Sequence, residues 1–153
     1  MYNHAPKDYI CPFCLLVQGI ENKYNAIQQT DIVYHNDIVT SFIGLRKWPN
    51  NAGHVLTIPN EHYENIYGVP ENLLAEMAAV VKRVCVAVKK TVDADGIKVI
   101  QLNGRAAGQV VMHLHIHVIP TVSKETVVMG HRGRLTPERN ELDKTARKIR
   151  ENL

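Results

Sequence analysis

The sequence predicts an α+β domain built on a largely antiparallel sheet, and three patterns indicate this class. Short runs of β-branched and aromatic residues lie on both sides of polar turns in the first sixty residues. One long amphipathic stretch follows them, and two further apolar runs come after it. Strands that precede a helix and then resume, without a repeating strand–helix–strand order, favour antiparallel pairing.

The first half of the chain supplies three predicted strands. The segment DIVYHNDIVTSFI, residues 31–43, predicts two short strands around a turn at Asn36-Asp37, because β-branched and aromatic residues flank this polar pair. A third strand is predicted from Val55 to Ile58, which follows a glycine and precedes a proline. Together these strands would form the first part of the sheet.

A long helix and two more strands follow. The span Glu71–Lys90 places apolar residues at 73, 74, 77, 80, 81, 84, 85 and 88. This spacing is that of an amphipathic helix, and Asp95-Gly96 is typical of the turn that ends it. The segment GIKVIQL, residues 96–102, predicts the fourth strand, and Val110–Ile119 predicts the fifth.

The C-terminal tail predicts a second helix. Thr136 would be its N-cap and Pro137 its first helical residue, and the apolar stripe falls at Leu142, Ala146 and Ile149. Acidic and basic residues alternate along this helix, which favours a solvated face. The alternative is a patch for polyphosphate or nucleic acid, centred on HRGR at 131–134.

Length and composition fit one domain. The chain has 153 residues, of which 45% are hydrophobic and 22% charged, as is usual for a globular domain. We expect one domain over residues 1–153, with a core of about 10–120 and a basic helical tail of about 121–153. No run approaches the roughly 20 apolar residues of a membrane span, and no secretory signal is visible, so we expect a cytoplasmic protein without membrane contact. The net charge of +3 suits anionic ligands such as nucleotides, whereas nucleic acid is possible but not favoured as a partner.

Three of the eight histidines alternate within QVVMHLHIHVIP, residues 109–120. In a strand, His113, His115 and His117 would share one face and the apolar residues between them the other. Neighbouring histidines would be about 6.6 Å apart and the outer two about 13 Å apart. Because zinc–nitrogen bonds are only about 2 Å long, one ion could not easily hold all three. The row is better suited to line a groove in which each histidine has its own task.

Phosphorus chemistry uses several imidazoles in one groove. A neutral imidazole can attack phosphorus, and protonated neighbours can neutralise charge on the oxygens and assist the leaving group. The loop NGRAAGQ, residues 103–109, precedes the row, and glycine-containing loops of this type can offer N–H groups to phosphate. The pattern therefore predicts a site for phosphate esters or anhydrides.

Cys11 and Cys14 form a CPFC pair, whose spacing is typical of a zinc knuckle or of a redox pair. A thioredoxin-like redox pair requires a βαβ context, which the sequence does not predict here. The total of three cysteines and the absence of a visible signal argue against a disulfide framework. The residues alone leave a zinc site and two exposed thiols as alternatives.

These motifs together resemble the histidine-triad (HIT) family of nucleotide hydrolases and transferases. HLHIHVIP fits its alternating histidines, AGHVLTIPNEH is similar to its second signature, and CPFC matches the cysteine pair of its zinc-containing branch. The similarity covers about residues 10–120. It implies a five-stranded, mainly antiparallel sheet with a long helix and a C-terminal helix, and usually a homodimer.

The resemblance also implies a reaction at the α-phosphate of a purine nucleotide derivative, either a dinucleoside polyphosphate or a nucleoside phosphoramidate. His115 would form a covalent nucleotidyl intermediate, and His117 and His54 would assist it. Contacts to nucleotide and phosphate would come from Asn103, Gln109, Phe42 and His117. The alternative function is a zinc-containing nucleotide-binding module whose catalysis is weak or lost.

The zinc-containing branch implies one structural zinc per chain and no organic cofactor. Its ligands would be Cys11, Cys14, His62 and His113. Two departures from the family pattern affect substrate binding. Gly44 stands where many members have an acidic residue for the ribose hydroxyls, and Val110 stands where many have a Ser or Thr.

Overall fold

The structure is a computed structural model that describes residues 4–20, 26–47, 52–121 and 135–153. Five strands form one antiparallel sheet: β1 (Ile32–His35), β2 (Val39–Ile43), β3 (Val55–Pro59), β4 (Gly96–Gln101) and β5 (Ile116–Thr121). Their spatial order is β1-β2-β3-β5-β4. The α-helices of the described residues are α1 (Pro12–Val17), α2 (Glu71–Val92) and α3 (Arg139–Glu151). The predicted α+β class, with a long helix and a C-terminal helix, is confirmed.

The sheet is covered on both faces. On one face, α2 and α3 pack on a large apolar core that includes Val55, Val118 and Met77. On the other face, α1 packs on a smaller cluster around Phe42 and Leu56. Because both faces are covered, every residue of β2 and β3 is buried. Burial of the apolar residues on the two faces supplies the main driving force for this arrangement.

The amphipathic stripe of α2 is confirmed, although the helix ends at Val92 rather than at Lys90. Asp93 then adopts a left-handed conformation with φ of 50° and ends the helix. The Nζ of Lys89 donates to the carbonyl of Ala94 at 2.6 Å. A cation at the C-terminal end also interacts favourably with the helix dipole.

The fifth strand begins at Ile116, whereas a strand from Val110 was predicted. Its neighbour β3 ends at Pro59, which has no N–H to donate. If the observed register continued, Pro59 would face Leu114. The N–H of Leu114 instead donates to the carbonyl of Tyr63 at 2.6 Å. The ladder therefore stops before the segment that the sequence pattern had assigned to it.

The prediction that three histidines share one strand is consequently wrong in part. Only His117 lies in β5, and His113 and His115 precede it. The alternation of sides persists, because Leu114 and Val118 are both fully buried in the core beneath α2. The histidines are thus excluded from that core even where the strand has not yet begun.

The C-terminal helix begins at Arg139, later than the predicted start at Pro137 with Thr136 as N-cap. Leu135 exchanges two backbone hydrogen bonds with Lys47, at 2.7 and 3.0 Å, so the chain is still extended there. A proline also disfavours helical conformation in the residue before it. The predicted apolar stripe is buried as expected, at Leu142, Ala146 and Ile149.

Part of the basic tail anchors α3 to the sheet. Arg139 forms ion pairs with the fully buried Asp31 and with Asp143. Arg150 donates to the carbonyls of Thr30 and Ile32 at 3.0 and 2.7 Å. The HRGR segment lies outside the described residues. No helix in the described part of the chain is both long and apolar enough to cross a membrane.

Candidate active site and metal site

Four side chains from separate parts of the chain meet, and one of them is His113, the first of the alternating histidines. The ligand atoms of Cys11, Cys14, His62 and His113 all lie within 4.8 Å of one another. The Sγ of Cys11 is 3.3 Å from Nδ1 of His113, and the Sγ of Cys14 is 3.2 Å from Nδ1 of His62. Sulfur and nitrogen ligands of one tetrahedral zinc are about 3.5 Å apart, given bonds of about 2.3 and 2.0 Å. The set is therefore a candidate Cys₂His₂ metal site.

Helix α1 brings the two cysteines together. Cys11 is its N-cap, and its Sγ accepts a hydrogen bond from the N–H of Cys14 at 3.5 Å. Pro12 occupies the first helical position, where its missing N–H costs nothing. One helical turn thus places both sulfur atoms on the same side. The cysteine pair was predicted from the sequence, whereas this helix was not.

Burial favours the neutral forms of the His113 ring and of the Cys14 thiol. The Nε2–H of the fully buried His113 donates to the carbonyl of Pro59 at 3.0 Å, which leaves the Nδ1 lone pair directed at the thiols. Burial lowers the pKa of His113 to about 4, so its ring is neutral near pH 7. Burial, with Cys11 beside it, raises the pKa of the Cys14 thiol to about 12. A bound divalent cation would reverse that effect by stabilising the thiolate.

A cavity of about 490 Å³ lies on the α1 side of the sheet. Phe13 and Phe42 contribute to its apolar part, with ring centroids 5.1 Å apart. His54, His115 and His117 line the same cavity. Its size is within the usual range for a small-molecule site.

The aromatic and imidazole rings form a continuous line along this cavity. Phe13 contacts His115 edge-on, with centroids 5.5 Å apart. The His115 and His117 centroids are 4.8 Å apart, and those of His117 and His54 are 5.2 Å apart. The cavity therefore has an apolar end near Phe13 and an imidazole-rich end near His54, and His115 lies between them.

His115 is held in one tautomer. Its Nδ1 lies 2.6 Å from the carbonyl of His113, and since a carbonyl only accepts, Nδ1 must carry the proton. The lone pair of the neutral ring is then on Nε2. Burial lowers the pKa of His115 below its ordinary value, which favours this neutral form. A neutral, fixed imidazole at a cavity wall has the properties of a nucleophile.

His54 and His117 form a hydrogen-bonded pair. The Nδ1–H of His54 donates to the carbonyl of Arg46 at 3.3 Å, so its Nε2 can accept. That Nε2 lies 3.0 Å from Nδ1 of His117, which acts as the donor. The pair can stabilise a positive charge on His117 and can accept or supply a proton through it.

Two predicted phosphate ligands have other partners. The Oδ1 of Asn103 accepts from the N–H of Ile66 at 2.8 Å, and its side chain pairs with that of Gln101 at 2.7 and 2.8 Å. Asn103 is not among the residues lining the cavity. Its contact with phosphate stays a prediction, and forming that contact would require some of these bonds to be exchanged.

Gln109 is buried and uses both ends of its amide. Its Oε1 accepts from the N–H of Gly104 at 2.7 Å. Its Nε2 donates to the carbonyls of Glu64 and Val111 at 2.6 and 3.0 Å. These bonds hold the loop of residues 103–109 against the segment that follows β3. A phosphate contact by Gln109 likewise stays a prediction.

The two departures from the family pattern both lie at the cavity. A Cβ on Gly44 would be 2.7 Å from Nδ1 of His54, so the present position of His54 leaves no room for an acidic side chain there. Val110 lines the cavity and is 64% exposed, in a place where a hydroxyl would be accessible to a ligand.

Several residues of the cavity wall were not predicted from the sequence. Phe13, Leu102 and Arg46 all line it, and none was predicted to do so. A signal was available for Phe13, because a large aromatic residue between Cys11 and Cys14 is expected to be buried close to that pair. No local pattern marks Leu102 or Arg46.

A model of the HIT domain matches residues 25–124 of this chain. An uncharacterized HIT-like protein of Saccharolobus solfataricus is 39% identical over 120 residues, which cover 78% of this chain and 80% of that protein. An adenosine 5′-monophosphoramidase of Candida albicans is 32% identical over 130 residues, covering 82% and 77%. An adenylylsulfatase of Arabidopsis thaliana is 30% identical over 115 residues, covering 75% and 54%.

Solved structures resemble the fold throughout. A zinc-bound histidine triad family protein from Mycobacterium smegmatis matches with a TM-score of 0.76 and 28% identity, covering 93% of this chain and 91% of that chain. A HIT-like protein from Bartonella henselae matches with a TM-score of 0.80 and 29% identity, covering 98% and 100%.

Proposed function

This chain belongs to the HIT family, and on that premise we propose that it hydrolyses or transfers nucleotides at the α-phosphate through a covalent nucleotidyl-histidine. The substrate class would be a purine nucleotide derivative, namely a dinucleoside polyphosphate or a nucleoside phosphoramidate. One observation carries the proposal: the hydrogen bond from Nδ1 of His115 to the His113 carbonyl, at 2.6 Å, which puts the lone pair on Nε2. Similarity to a phosphoramidase and to an adenylylsulfatase supports the same reaction class.

In the proposed reaction, Nε2 of His115 attacks the α-phosphorus and the bond to the leaving group breaks. Water then attacks the same phosphorus, the nitrogen–phosphorus bond breaks, and the nucleoside monophosphate is released. His115 suits this role because it is neutral, held by a backbone acceptor, and central in the line of rings. Splitting one difficult displacement into two easier ones is the advantage of covalent catalysis.

His117, supported by His54, would protonate the leaving group and stabilise negative charge on the phosphate. His117 donates through Nδ1 to His54, so its other nitrogen, Nε2, is the atom that would protonate a leaving group or contact a phosphate oxygen. The bond from His54 to the Arg46 carbonyl fixes the orientation of the pair. This positions a general acid beside the nucleophile.

The apolar end of the cavity would hold the base. Phe13 and Phe42 meet edge to face and line the cavity beside His115. Aromatic and aliphatic walls can bury a planar base without specific polar contacts. This division, with the base at the apolar end and phosphate at the histidines, supports a nucleotide as the ligand.

The metal site would hold one zinc per chain through Cys11, Cys14, His62 and His113. These residues fit zinc because their sulfur and nitrogen atoms are at suitable separations and His113 presents a neutral lone pair. A bound zinc would cross-link α1 to the segments that carry the two histidines and so stabilise the fold. These four side chains would fill all four positions of a tetrahedral zinc, so no position would be open for substrate. The reacting groups would be those of His115 and its neighbours.

The remaining expectations are part of the same proposal. A homodimer in the cytoplasm would agree with the family resemblance, and no organic cofactor is needed for the reaction. The alternative is a nucleotide-binding module whose catalysis is weak or lost. The departures at Gly44 and Val110 favour that alternative to the extent that they weaken contacts with substrate.

One experiment separates enzyme from binding module. The protein is incubated with adenosine 5′-phosphoramidate and AMP release is followed by chromatography. A slow substrate is then used to trap the intermediate for mass spectrometry. We expect turnover and a nucleotidyl adduct on the peptide that contains His115. AMP binding without turnover or adduct would instead identify a binding module.

A further inference from the structure

The segment of residues 111–115 carries the proposed nucleophile and lies outside the sheet. The two strands that flank β5 end before they reach this segment, β3 at Pro59 and β4 at Gln101. Residues 112–114 are nevertheless almost fully buried. A buried backbone N–H or carbonyl without a hydrogen-bond partner is costly. The segment therefore needs partners other than those of a strand ladder.

Side chains hold both polar atoms of the peptide unit that joins Val111 to Met112. The carbonyl of Val111 accepts from Nε2 of Gln109 at 3.0 Å. The N–H of Met112 donates to the hydroxyl oxygen of Tyr9 at 3.0 Å. The ring of Tyr9 is partly buried and packs against the smaller apolar cluster, around Phe42. The two side chains thus supply hydrogen bonds that a neighbouring strand would otherwise make.

The next peptide unit but one, between residues 113 and 114, orients the nucleophile. Its N–H donates to the carbonyl of Tyr63 at 2.6 Å, and its carbonyl accepts the Nδ1–H of His115 at 2.6 Å. Because peptide units are planar, only the backbone dihedrals of residues 112 and 113 separate it from the unit that Tyr9 holds. Fixing the earlier unit therefore limits rotation of the carbonyl that sets the tautomer of His115.

We infer that Tyr9 is a positioning residue for the proposed reaction. Through the N–H of Met112, its hydroxyl holds the main chain in the conformation that presents Nε2 of His115 to the α-phosphorus. The inference rests on the proposed function and adds a residue to it. Among the described residues, those that line the cavity do not include Tyr9. Tyr9 would therefore act on the nucleophile through the backbone and not through the substrate.

The substitution Tyr9→Phe removes the acceptor and keeps the ring. The N–H of Met112, a residue that is 2% exposed, would then lack this partner, and rotation of the main chain towards another acceptor would be favoured. Such a rotation would turn the carbonyl of His113 away from Nδ1 of His115. The His115 ring could then adopt the other tautomer, in which Nε2 carries the proton and has no lone pair to offer.

The test compares the wild type with Tyr9→Phe and Tyr34→Phe. Tyr34 is a matched control because its hydroxyl oxygen also accepts hydrogen bonds, from Asn36 at 3.3 Å and Arg83 at 3.1 Å, and its ring packs against the core on the α2 side of the sheet. With adenosine 5′-phosphoramidate as substrate, we expect Tyr9→Phe to lower kcat about 10- to 100-fold, the effect of a displacement on the order of 1 Å. KM should change little, since the cavity wall is intact. Tyr34→Phe should leave kcat unchanged.

A second readout follows the ring itself and does not depend on turnover. Nitrogen NMR of isotopically labelled protein reports which ring nitrogen of each neutral histidine carries the proton, and the spectrum of His115→Ala identifies the signals of His115. In the wild type and in Tyr34→Phe we expect the proton of His115 on Nδ1. In Tyr9→Phe we expect a substantial fraction with the proton on Nε2.

Several results would overturn the inference. These are a normal kcat in Tyr9→Phe, an unchanged tautomer of His115 in that variant, or an equal loss of kcat in Tyr34→Phe. Zinc content is measured in all three proteins, because Tyr9 lies two residues before Cys11. A zinc content lower in Tyr9→Phe than in the wild type would also overturn the inference, since Tyr9 would then act through the metal site. If the wild type did not turn over the substrate, the proposed reaction would fail, and the NMR comparison would still decide whether Tyr9 orients His115.

Discussion

His113 and His115 are two residues apart, yet they use opposite ring nitrogens. His113 donates from Nε2 to the carbonyl of Pro59, so its Nδ1 lone pair is directed at the cysteines. His115 donates from Nδ1 to the carbonyl of His113, so its lone pair is on Nε2. Both rings are buried. In each case a backbone carbonyl accepts from one ring nitrogen and so fixes the tautomer of the ring. Two identical side chains therefore present their lone pairs on different nitrogens and have different chemistry.

The same contrast separates two neighbouring regions. The metal region joins His113 to two cysteines and His62, a set that would saturate one ion. The reactive region joins His115 to His117 and His54 along the cavity. The metal region is suited to stabilising the fold, and the reactive region is suited to nucleophilic attack and proton transfer.

The largest expected effect on turnover comes from removing the ring of His115. We expect His115→Ala to lower turnover of adenosine 5′-phosphoramidate by about 10⁴-fold or more, because the covalent route disappears. AMP binding should persist, since the cavity wall is otherwise intact. The control is His35→Ala, an exposed histidine at the end of β1. Substantial activity in His115→Ala would mean that another group attacks phosphorus.

Removing the assisting ring should cost less. We expect His117→Ala to lower kcat on the order of 10²–10⁴-fold, the usual contribution of a general acid. A covalent adduct on His115 should still form, more slowly, when the leaving group needs no proton. Mass spectrometry of the trapped protein checks this. An adduct on His117 in the wild type would reverse the two roles.

The metal region should respond in stability rather than in chemistry. We expect Cys14→Ala to lose bound zinc and at least about 2 kcal/mol of unfolding free energy, or about 4–8 °C in Tm for a chain of this size. Elemental analysis and thermal unfolding measure both quantities. Cys85→Ala is the matched control, because Cys85 lies on α2 outside the metal set. Equal effects of the two substitutions would contradict a metal role for Cys14.

Substitution of Phe13 has the smallest expected effect and tests whether the two regions are independent, because its ring contacts both. Its ring meets those of His113 and His115 edge-on, at centroid distances of 5.8 and 5.5 Å. We expect Phe13→Leu to weaken AMP binding by about 2- to 12-fold, since an aromatic pair contributes about 0.5–1.5 kcal/mol beyond burial. Zinc content should not change. Loss of zinc in Phe13→Leu would show that this ring supports the metal site as well as the cavity.

Local patterns predicted much of the fold, because they report directly on burial. The stripe along α2 and the paired runs around Asn36-Asp37 became the long helix and the first hairpin. The four metal ligands were predicted from the family resemblance, and the structure brings them together.

The errors arise where distant residues decide the outcome. The late start of β5 depends on Pro59, and the late start of α3 depends on the bridge from Lys47 to Leu135. Neither contact is visible in the local sequence of the element that it limits. The inward-facing amide of Gln109 is a similar case, because its partners come from Glu64 and Gly104. Patterns of residue type describe which side chains could bind a ligand, whereas tertiary contacts determine which of them are already occupied.

The acceptor that orients His115 is a main-chain oxygen, and this has an evolutionary consequence. Every residue type at position 113 would supply the same carbonyl, so the ring of His113 and the orientation of His115 can be inherited separately. A lineage could give up the metal by substituting His113 together with the cysteines and still keep a correctly protonated nucleophile. A single-residue insertion or deletion between positions 113 and 115 would have the opposite result, since it would leave every functional side chain present and remove the carbonyl from reach.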